Sequence, residues 1–511
     1  MIGRRGAAAL ALAASLTFLL GGCVSWFLPP TGNSTSTPTN EHVAKDLEPF
    51  YHQVLHWSTC GNGLQCSSVR APMDWANPSV DSIKLAVVRQ SATSGNRLGS
   101  LLVNPGGPGG SGYDFVRDSV DYATDERLQS NFDIVGFDPR GVNRSTAVSC
   151  YTDPAELDTF LYGIPPGVPG SDEWIQALTD SSHAFGERCL ELTGPLLGFV
   201  DTPSAARDLD LLRAVLGDTK LNYLGYSYGT LLGAVYADLF PGKTGRLVLD
   251  GAVDPAASDF EGTATQAKGF ESALRAFLKD CAPLDDCPFR GSVSESLGQI
   301  RALLDSLDAS PLTAVDGRRL GSGTMFIAII LPLYNQHDWE LLRRLFSSVF
   351  QGDPSYAFDL ADSYNGRNPD GTYLNNQTEA FISISCLDER GPADLATLRA
   401  DAERLKRLAP VFGPQMSYGG TGCANWPVPA KRERAPIVAA GSADILVVGT
   451  TNDPATPYKW AVTVAGTLQK GHLLTYEGEG HTAYNKSNTC VNDAVDGFLV
   501  DGTVPSDNAR C

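Results

Sequence analysis

The stretch that most constrains this chain is residues 221–233, Leu-Asn-Tyr-Leu-Gly-Tyr-Ser-Tyr-Gly-Thr-Leu-Leu-Gly, an apolar run that turns at Ser227 and continues with helical spacing. Gly225-Tyr226-Ser227-Tyr228-Gly229 has the form G-x-S-x-G. In that motif a strand feeds a strained turn, and the flanking glycines let strand and helix approach closely enough to present a serine hydroxyl. Residues 221–224 read as a buried strand and residues 230–239 as a helix stopped by Pro241, the setting the motif requires. Ser227 is therefore the candidate nucleophile, and the rest of the chain is judged by whether it completes a site around it.

A serine needs a base, and the base needs an orienting acid. A strand over residues 445–449 runs into Thr450-Thr451-Asn452-Asp453-Pro454, and the next, over 473–476, leads into Gly478-Glu479-Gly480-His481-Thr482. Both Asp453 and His481 follow strand ends, the edge on which such sites are built. The chain order Ser227, Asp453, His481 is the order of α/β-hydrolases. In that arrangement His481 accepts the Ser227 proton and returns it to the leaving group, while Asp453 fixes the tautomer and stabilises the imidazolium. The other six of the seven histidines, His42, His52, His56, His183, His337 and His472, lack this placement.

Asn104-Pro105-Gly106-Gly107-Pro108-Gly109-Gly110-Ser111-Gly112 is a glycine-dense turn directly after a strand over residues 99–104. Such a loop brings backbone N–H groups up to a substrate oxygen, and the expected oxyanion donors are Gly107 and Tyr228, the residue after the nucleophile. A phosphate-binding loop would end in Gly-Lys-Ser/Thr, which is absent here. Residues 83–90, 132–137 and 246–249 read as further strands and residues 202–216 as an amphipathic helix. Asp138 and Arg140, in Asp138-Pro139-Arg140-Gly141, are expected to brace the loops around the site, not to react.

From residue 256 to 410 the strand-helix alternation gives way to longer helical patterns over 266–279, 293–307 and 339–350, which reads as an inserted, mostly helical cap. The expected fold is α/β, of the α/β-hydrolase type: a mainly parallel sheet covered by helices on both faces, with its core in residues 41–255 and 411–511.

With 511 residues, 42% of them hydrophobic, the chain is globular and large enough for more than one lobe. A net charge of −19 argues against nucleic acid as a partner, because no cationic excess exists to neutralise phosphates. Residues 1–23 carry Arg4 and Arg5, an apolar run over 7–20 and Gly21-Gly22-Cys23, the pattern of an export signal too short for an ordinary membrane span. Leu20-Gly21-Gly22-Cys23 resembles the bacterial lipobox, so Cys23 is the expected lipidation site and the membrane an expected partner; an ordinary secretory signal is the alternative. The paired arginines leave the general and twin-arginine routes open. Residues 24–40, rich in Ser, Thr and Pro, are expected to form a flexible spacer.

Without Cys23, the 11 cysteines leave an even set: Cys60, Cys66, Cys150, Cys189, Cys281, Cys287, Cys386, Cys423, Cys490 and Cys511. In an exported chain that reads as disulfides. Spacing does not fix their connectivity, though pairing neighbours in order (Cys60 with Cys66, Cys150 with Cys189, Cys281 with Cys287, Cys386 with Cys423, Cys490 with Cys511) would close short local loops. Neither C-x-x-C pairs nor clustered histidines occur, so no metal is expected, and no organic cofactor is implied.

Taken together, these residues resemble the proline iminopeptidase and tripeptidyl aminopeptidase group of α/β-hydrolases, particularly its exported actinobacterial members. The likeness rests on Pro105-Gly106-Gly107-Pro108-Gly109, Asp138-Pro139-Arg140-Gly141, residues 225–233, Val248-Leu249-Asp250-Gly251, Cys423-Ala424-Asn425-Trp426-Pro427, Asp453-Pro454-Ala455-Thr456-Pro457 and Gly480-His481. Pro105 stands where iminopeptidases usually have histidine, which is similar to the secreted tripeptidyl branch. The resemblance implies an exported serine peptidase that acts on peptide or protein substrates from a free amino terminus, through an acyl-enzyme, with the cap restricting access. An aminopeptidase needs anions for the substrate ammonium, because burying that charge unpaired is costly, and Asp388 and Glu389 are the candidates. The alternative is a carboxylesterase or lipase that uses the same triad on envelope lipids or acyl esters.

Overall fold

The computed structural model describes residues 34–388, 394–506 and 508–511. Its strands are β1 (Ser34–Thr35), β2 (His56–Thr59), β3 (Gln65–Pro72), β4 (Ser82–Gln90), β5 (Ser100–Asn104), β6 (Asp133–Phe137), β7 (Leu221–Tyr226), β8 (Thr244–Asp250), β9 (Leu312–Thr313), β10 (Arg319–Leu320), β11 (Ile445–Asn452), β12 (Gly471–Glu479) and β13 (Ala509–Arg510). All but the small β9–β10 hairpin form one sheet, in the order β1-β2-β3-β4-β6-β5-β7-β8-β11-β12-β13. From β6 to β13 neighbours pair in parallel. The β1–β4 flank is antiparallel and joins the core through an antiparallel β4–β6 pair.

The central strands are apolar in unbroken runs because both of their faces are covered. Alternation divides them: Leu102, Val135, Tyr223, Leu249 and Val447 face one core, with Leu209 and Leu212 of helix Thr202–Leu216 and Leu231 and Leu232 of helix Tyr228–Leu239. Leu101, Val103, Ile134, Leu224, Val248 and Val448 face the other, with Val116 of helix Gly112–Ala123 and Val491 and Val495 of helix Thr489–Asp496. Each such leucine or valine contributes about 1.5–3 kcal/mol by leaving water, so one residue of register slip would be prohibitive.

Between β8 and β11 the regular elements of the described chain are helices, apart from the β9–β10 hairpin. Helices Asp259–Cys281, Val293–Ala309, Ser322–Leu333, Trp339–Phe350 and Ser355–Asn365 share a separate core around Phe270, Phe277, Ile329, Trp339 and Phe346. Ser258 with Glu261, and Ser292 with Glu295, form capping boxes that set where the first two of these helices start. Two features depart from a single inserted cap. Tyr162, at the end of helix Pro154–Tyr162 between β6 and β7, joins the cap core, so an earlier helical excursion belongs to the same layer. Helix Gln377–Asp388, expected in the cap, buries Ala380, Ile384 and Leu387 in the core on the sheet.

The spacer expected over residues 24–40 is corrected at its end. Ser34 pairs with Trp57, Ser36 N–H donates to Leu55 O at 2.9 Å, and Thr39 N–H to Ala214 O at 2.9 Å. Backbone hydrogen bonds anchor this stretch, and they require no apolar side chains. The cysteines pair in sequence order: Cys60–Cys66, Cys150–Cys189, Cys281–Cys287, Cys386–Cys423 and Cys490–Cys511.

Asp138 and Arg140 act as braces. The Asp138 carboxylate accepts from Ser111 Oγ, Tyr113 N–H and Arg144 N–H, and burial pushes its pKa up. Arg140, fully buried, donates two hydrogen bonds of 2.7 Å to Asp208 on helix Thr202–Leu216 and others to the carbonyls of Pro72, Met73 and Phe199.

Candidate active site

β7 ends at Tyr226, helix Tyr228–Leu239 begins at Tyr228, and Ser227 is the single residue between them. It takes φ 54° and ψ −124°, a conformation that costs a residue with a side chain on the order of 1–3 kcal/mol. Its N–H donates to Asp250 O at 2.9 Å, which ties the turn to the end of β8. A Cβ on Gly225 would fall 2.5 Å from Gly229 O, and one on Gly229 would fall 2.8 Å from Asn104 Oδ1. Both motif glycines are thus required by close approach. Tyr228 opens the helix, so its N–H has no intrahelical acceptor.

The glycine-rich loop after β5 lies against this turn. A Cβ on Gly106 would sit 2.4 Å from Tyr226 O and 3.0 Å from Tyr228 N. Asn104 Oδ1 accepts the Gly106 N–H at 2.9 Å and holds the loop there. Gly107, at φ 110°, is the next residue, so the two expected oxyanion donors come from adjoining segments. Gly109 packs under helix Gln377–Asp388, where an added Cβ would meet Gln377 O at 2.6 Å.

His481 and Asp453 are joined directly. His481 Nδ1 lies 3.0 Å from each carboxylate oxygen of Asp453. A carboxylate only accepts, so the imidazole donates from Nδ1 and leaves Nε2 as an acceptor. Asp453, buried, also accepts from the Ala455 and Thr456 N–H groups, from Thr456 Oγ1 and from Thr482 N–H. Asp250-Gly251 borders both residues: Asp250 O accepts the Ser227 N–H, and His481 Cε1 is 3.3 Å from where a Gly251 Cβ would be. The Asp250 carboxylate, fully buried and raised in pKa by that burial, accepts from Ala483 and Tyr484 N–H and fixes the loop after the histidine. From the cap side, Gly269 packs on Pro454 O and Gln266 Nε2 donates to Ala455 O at 2.8 Å.

Asp388 requires a correction. It is 3% exposed, with Oδ1 accepting from Thr202 N–H at 2.9 Å and Oδ2 from Thr202 Oγ1, which also meets the Tyr228 hydroxyl. Desolvation raises its pKa to about 7 against those hydrogen bonds. The carboxylate is spent on Thr202, whose hydroxyl in turn meets that of Tyr228, and is not offered to a substrate ammonium. Glu389 and Cys23 lie outside the described residues.

Several supporting residues carry weak sequence signals. Thr456 stands three residues after Asp453, a spacing that lets a hydroxyl and an N–H return to the same carboxylate. Asn104 and Asp250 end their strands, and nothing local to either distinguishes them from a solvated strand terminus.

The fold and this constellation define a serine hydrolase of the α/β-hydrolase class. Residues 409–511 match the family described as TAP-like protein. Serine protease Hip1 of Mycobacterium tuberculosis is 35% identical over 494 residues, covering 92% of this chain and 93% of its own. Carboxylesterase B of the same organism is 37% identical over 516 residues, covering 97% of each chain. Tripeptidyl aminopeptidase of Streptomyces lividans is 31% identical over 469 residues, covering 89% of this chain and 86% of its own. The chain belongs to this TAP-like family of α/β-hydrolases.

Proposed function

We propose that the protein is an exported, lipid-anchored serine peptidase that releases short peptides, tripeptides in the main, from free amino termini. The observation that carries the reading is the Nδ1 contact of His481 with both oxygens of Asp453, together with a serine held at positive φ between strand and helix. Ser227 Oγ attacks the scissile carbonyl as His481 Nε2 takes its proton. The N–H groups of Gly107 and Tyr228 receive the oxyanion. Collapse expels the amine with the proton from His481, and water, activated by the same base, hydrolyses the acyl-enzyme. For the substrate ammonium Glu389 is the remaining acidic candidate, since Asp388 is held by Thr202.

The export signal and Cys23 support a mature protein tethered at the outer face of the membrane, and ten paired cysteines suit an oxidising compartment. Cys23→Ser should move the protein from the membrane fraction to the medium or the soluble fraction; unchanged membrane retention would rule out the anchor. A second reading, hydrolysis of acyl esters by the same triad, draws on the relative named carboxylesterase B.

The test is mass spectrometry of products from a soluble form lacking residues 1–23, given matched peptides with free or acetylated amino termini, with Ser227→Ala as control. Tripeptides released only from the free peptides are expected. Internal cuts in both sets would make it an endopeptidase, and ester hydrolysis without peptide cleavage would favour the second reading.

A further inference from the structure

The imidazole of His481 is enclosed by more than its acid. Helix Ser322–Leu333 of the cap ends just after Pro332; Tyr334 keeps helical angles (φ −66°, ψ −23°), and Asn335 then turns extended. The last carbonyls of a helix have no intrahelical donors. Here the Tyr334 carbonyl accepts the backbone N–H of His481 at 2.8 Å. Gly480, at φ 102°, permits the approach, since a Cβ there would stand 3.0 Å from the same oxygen. The Tyr334 ring then lies over the imidazole, with centroids 5.3 Å apart and planes at 40°. Its other sides are fixed by cap residues: Tyr364 stacks on it at 6.5 Å, and Phe270 meets it edge-on at 6.1 Å.

We propose that Tyr334 is a positioning residue for the base, holding the His481 imidazole from the cap while Asp453 holds it from the sheet. The inference rests on the reading of Ser227, His481 and Asp453 as the reacting triad. After taking the serine proton, the imidazolium has to keep its orientation until the leaving group collects that proton. Asp453 anchors Nδ1 but leaves the ring free to tilt about that contact. The side of the ring near Cε1 is closed by Gly251 and another side by Tyr334. The backbone contact adds a second constraint by fixing the amide from which the side chain springs. Because Tyr334 belongs to the cap, the base is fully ordered only when this helix is seated on the core. A misplacement of about 1 Å in a reacting group can cost about 100-fold in rate.

The test compares Tyr334→Leu and Tyr334→Phe with wild type on p-nitrophenyl acetate, a substrate too small to need distant subsites, and on a peptide substrate. Tyr334→Leu is expected to lower kcat about 10–100-fold on both, with KM nearly unchanged. Tyr334→Phe, which keeps the ring and the carbonyl, should restore most of the rate. A Leu variant that loses only peptide KM would make Tyr334 a wall of the substrate cleft and overturn the proposal. Equal damage from Phe would overturn it as well, by assigning the effect to the hydroxyl. Thermal midpoints check folding, and Tyr334→Met replaces the Leu variant if that one unfolds. Ser227→Ala separates the two levels: activity surviving there would overturn the triad itself, whereas an inactive Ser227→Ala beside a fully active Tyr334→Leu would overturn this proposal alone.

Discussion

Asp388 sits at the end of helix Gln377–Asp388 with both carboxylate oxygens taken by Thr202, the first residue of helix Thr202–Leu216. Burial moves its pKa from 3.8 to about 7. The sign of the consequence follows from proton binding. Between about pH 4 and pH 7 the folded protein holds a proton that the unfolded chain releases, so this group's contribution to stability is fullest at low pH and declines as pH rises through the window. Each unit of that window is worth about 1.4 kcal/mol. Asp388→Asn keeps the shape and the hydrogen bonds of the neutral acid and removes the titration. Its stability relative to wild type should therefore rise between pH 4 and pH 7 by a few kcal/mol and stay level above that. Thermal midpoints of both proteins across the range test this, and a constant difference would mean that Asp388 does not titrate there. From sequence this residue looked like a substrate anion because its type was legible and its partner was not: Thr202 is 186 residues away.

At the scale of elements, helix Thr202–Leu216 connects most of the site's supports. Its Asp208 holds Arg140 from the turn after β6 and the indole N–H of Trp75 from the β3–β4 connection. Arg140 and Asp208 are both fully shielded from solvent. Removing one partner of such a pair leaves an uncompensated buried charge and costs about 3–5 kcal/mol, whereas replacing both with apolar groups costs much less. Asp208→Ala should therefore lower the urea midpoint more than the double variant Arg140→Met with Asp208→Leu; additive losses would show that the pair is not coupled. The helix was legible over its whole length, residues 202–216, as were β7 and the placing of Asp453 and His481 after strands. What periodicity did not reveal is which layer a helix joins. In helices Pro154–Tyr162 and Gln377–Asp388 the apolar residues favour no strongly marked face, and one packs with the cap and the other on the sheet. Tyr334 was illegible for the same reason, because its meaning lies in His481, which comes from a strand-end loop far along the chain.

For the whole molecule, the disulfides differ in what they hold together. Cys60–Cys66 closes six residues at the β2–β3 turn, on the antiparallel flank far along the sheet from β7. Cys386–Cys423 spans 37 residues and fixes the C-terminal end of helix Gln377–Asp388, whose other end presses on the glycine-rich loop after β5 at Gly109, the loop proposed to supply an oxyanion donor. Loop-closure entropy assigns about 2 kcal/mol to the first bridge and about 4 kcal/mol to the second. Function should separate them further. Replacing Cys60 and Cys66 with alanine is expected to lower the thermal midpoint slightly and leave kcat on p-nitrophenyl acetate unchanged. Replacing Cys386 and Cys423 should lower the midpoint more and also reduce kcat, because helix Gln377–Asp388 would be free to shift against both Gly109 and Thr202. Oxyanion donors are worth about 100–1,000-fold each when removed outright, so a partial displacement should show as roughly a tenfold loss. Equal kcat in the two variants would mean that the helix is held by its buried Ala380, Ile384 and Leu387 alone, and that the bridge only limits the unfolded chain.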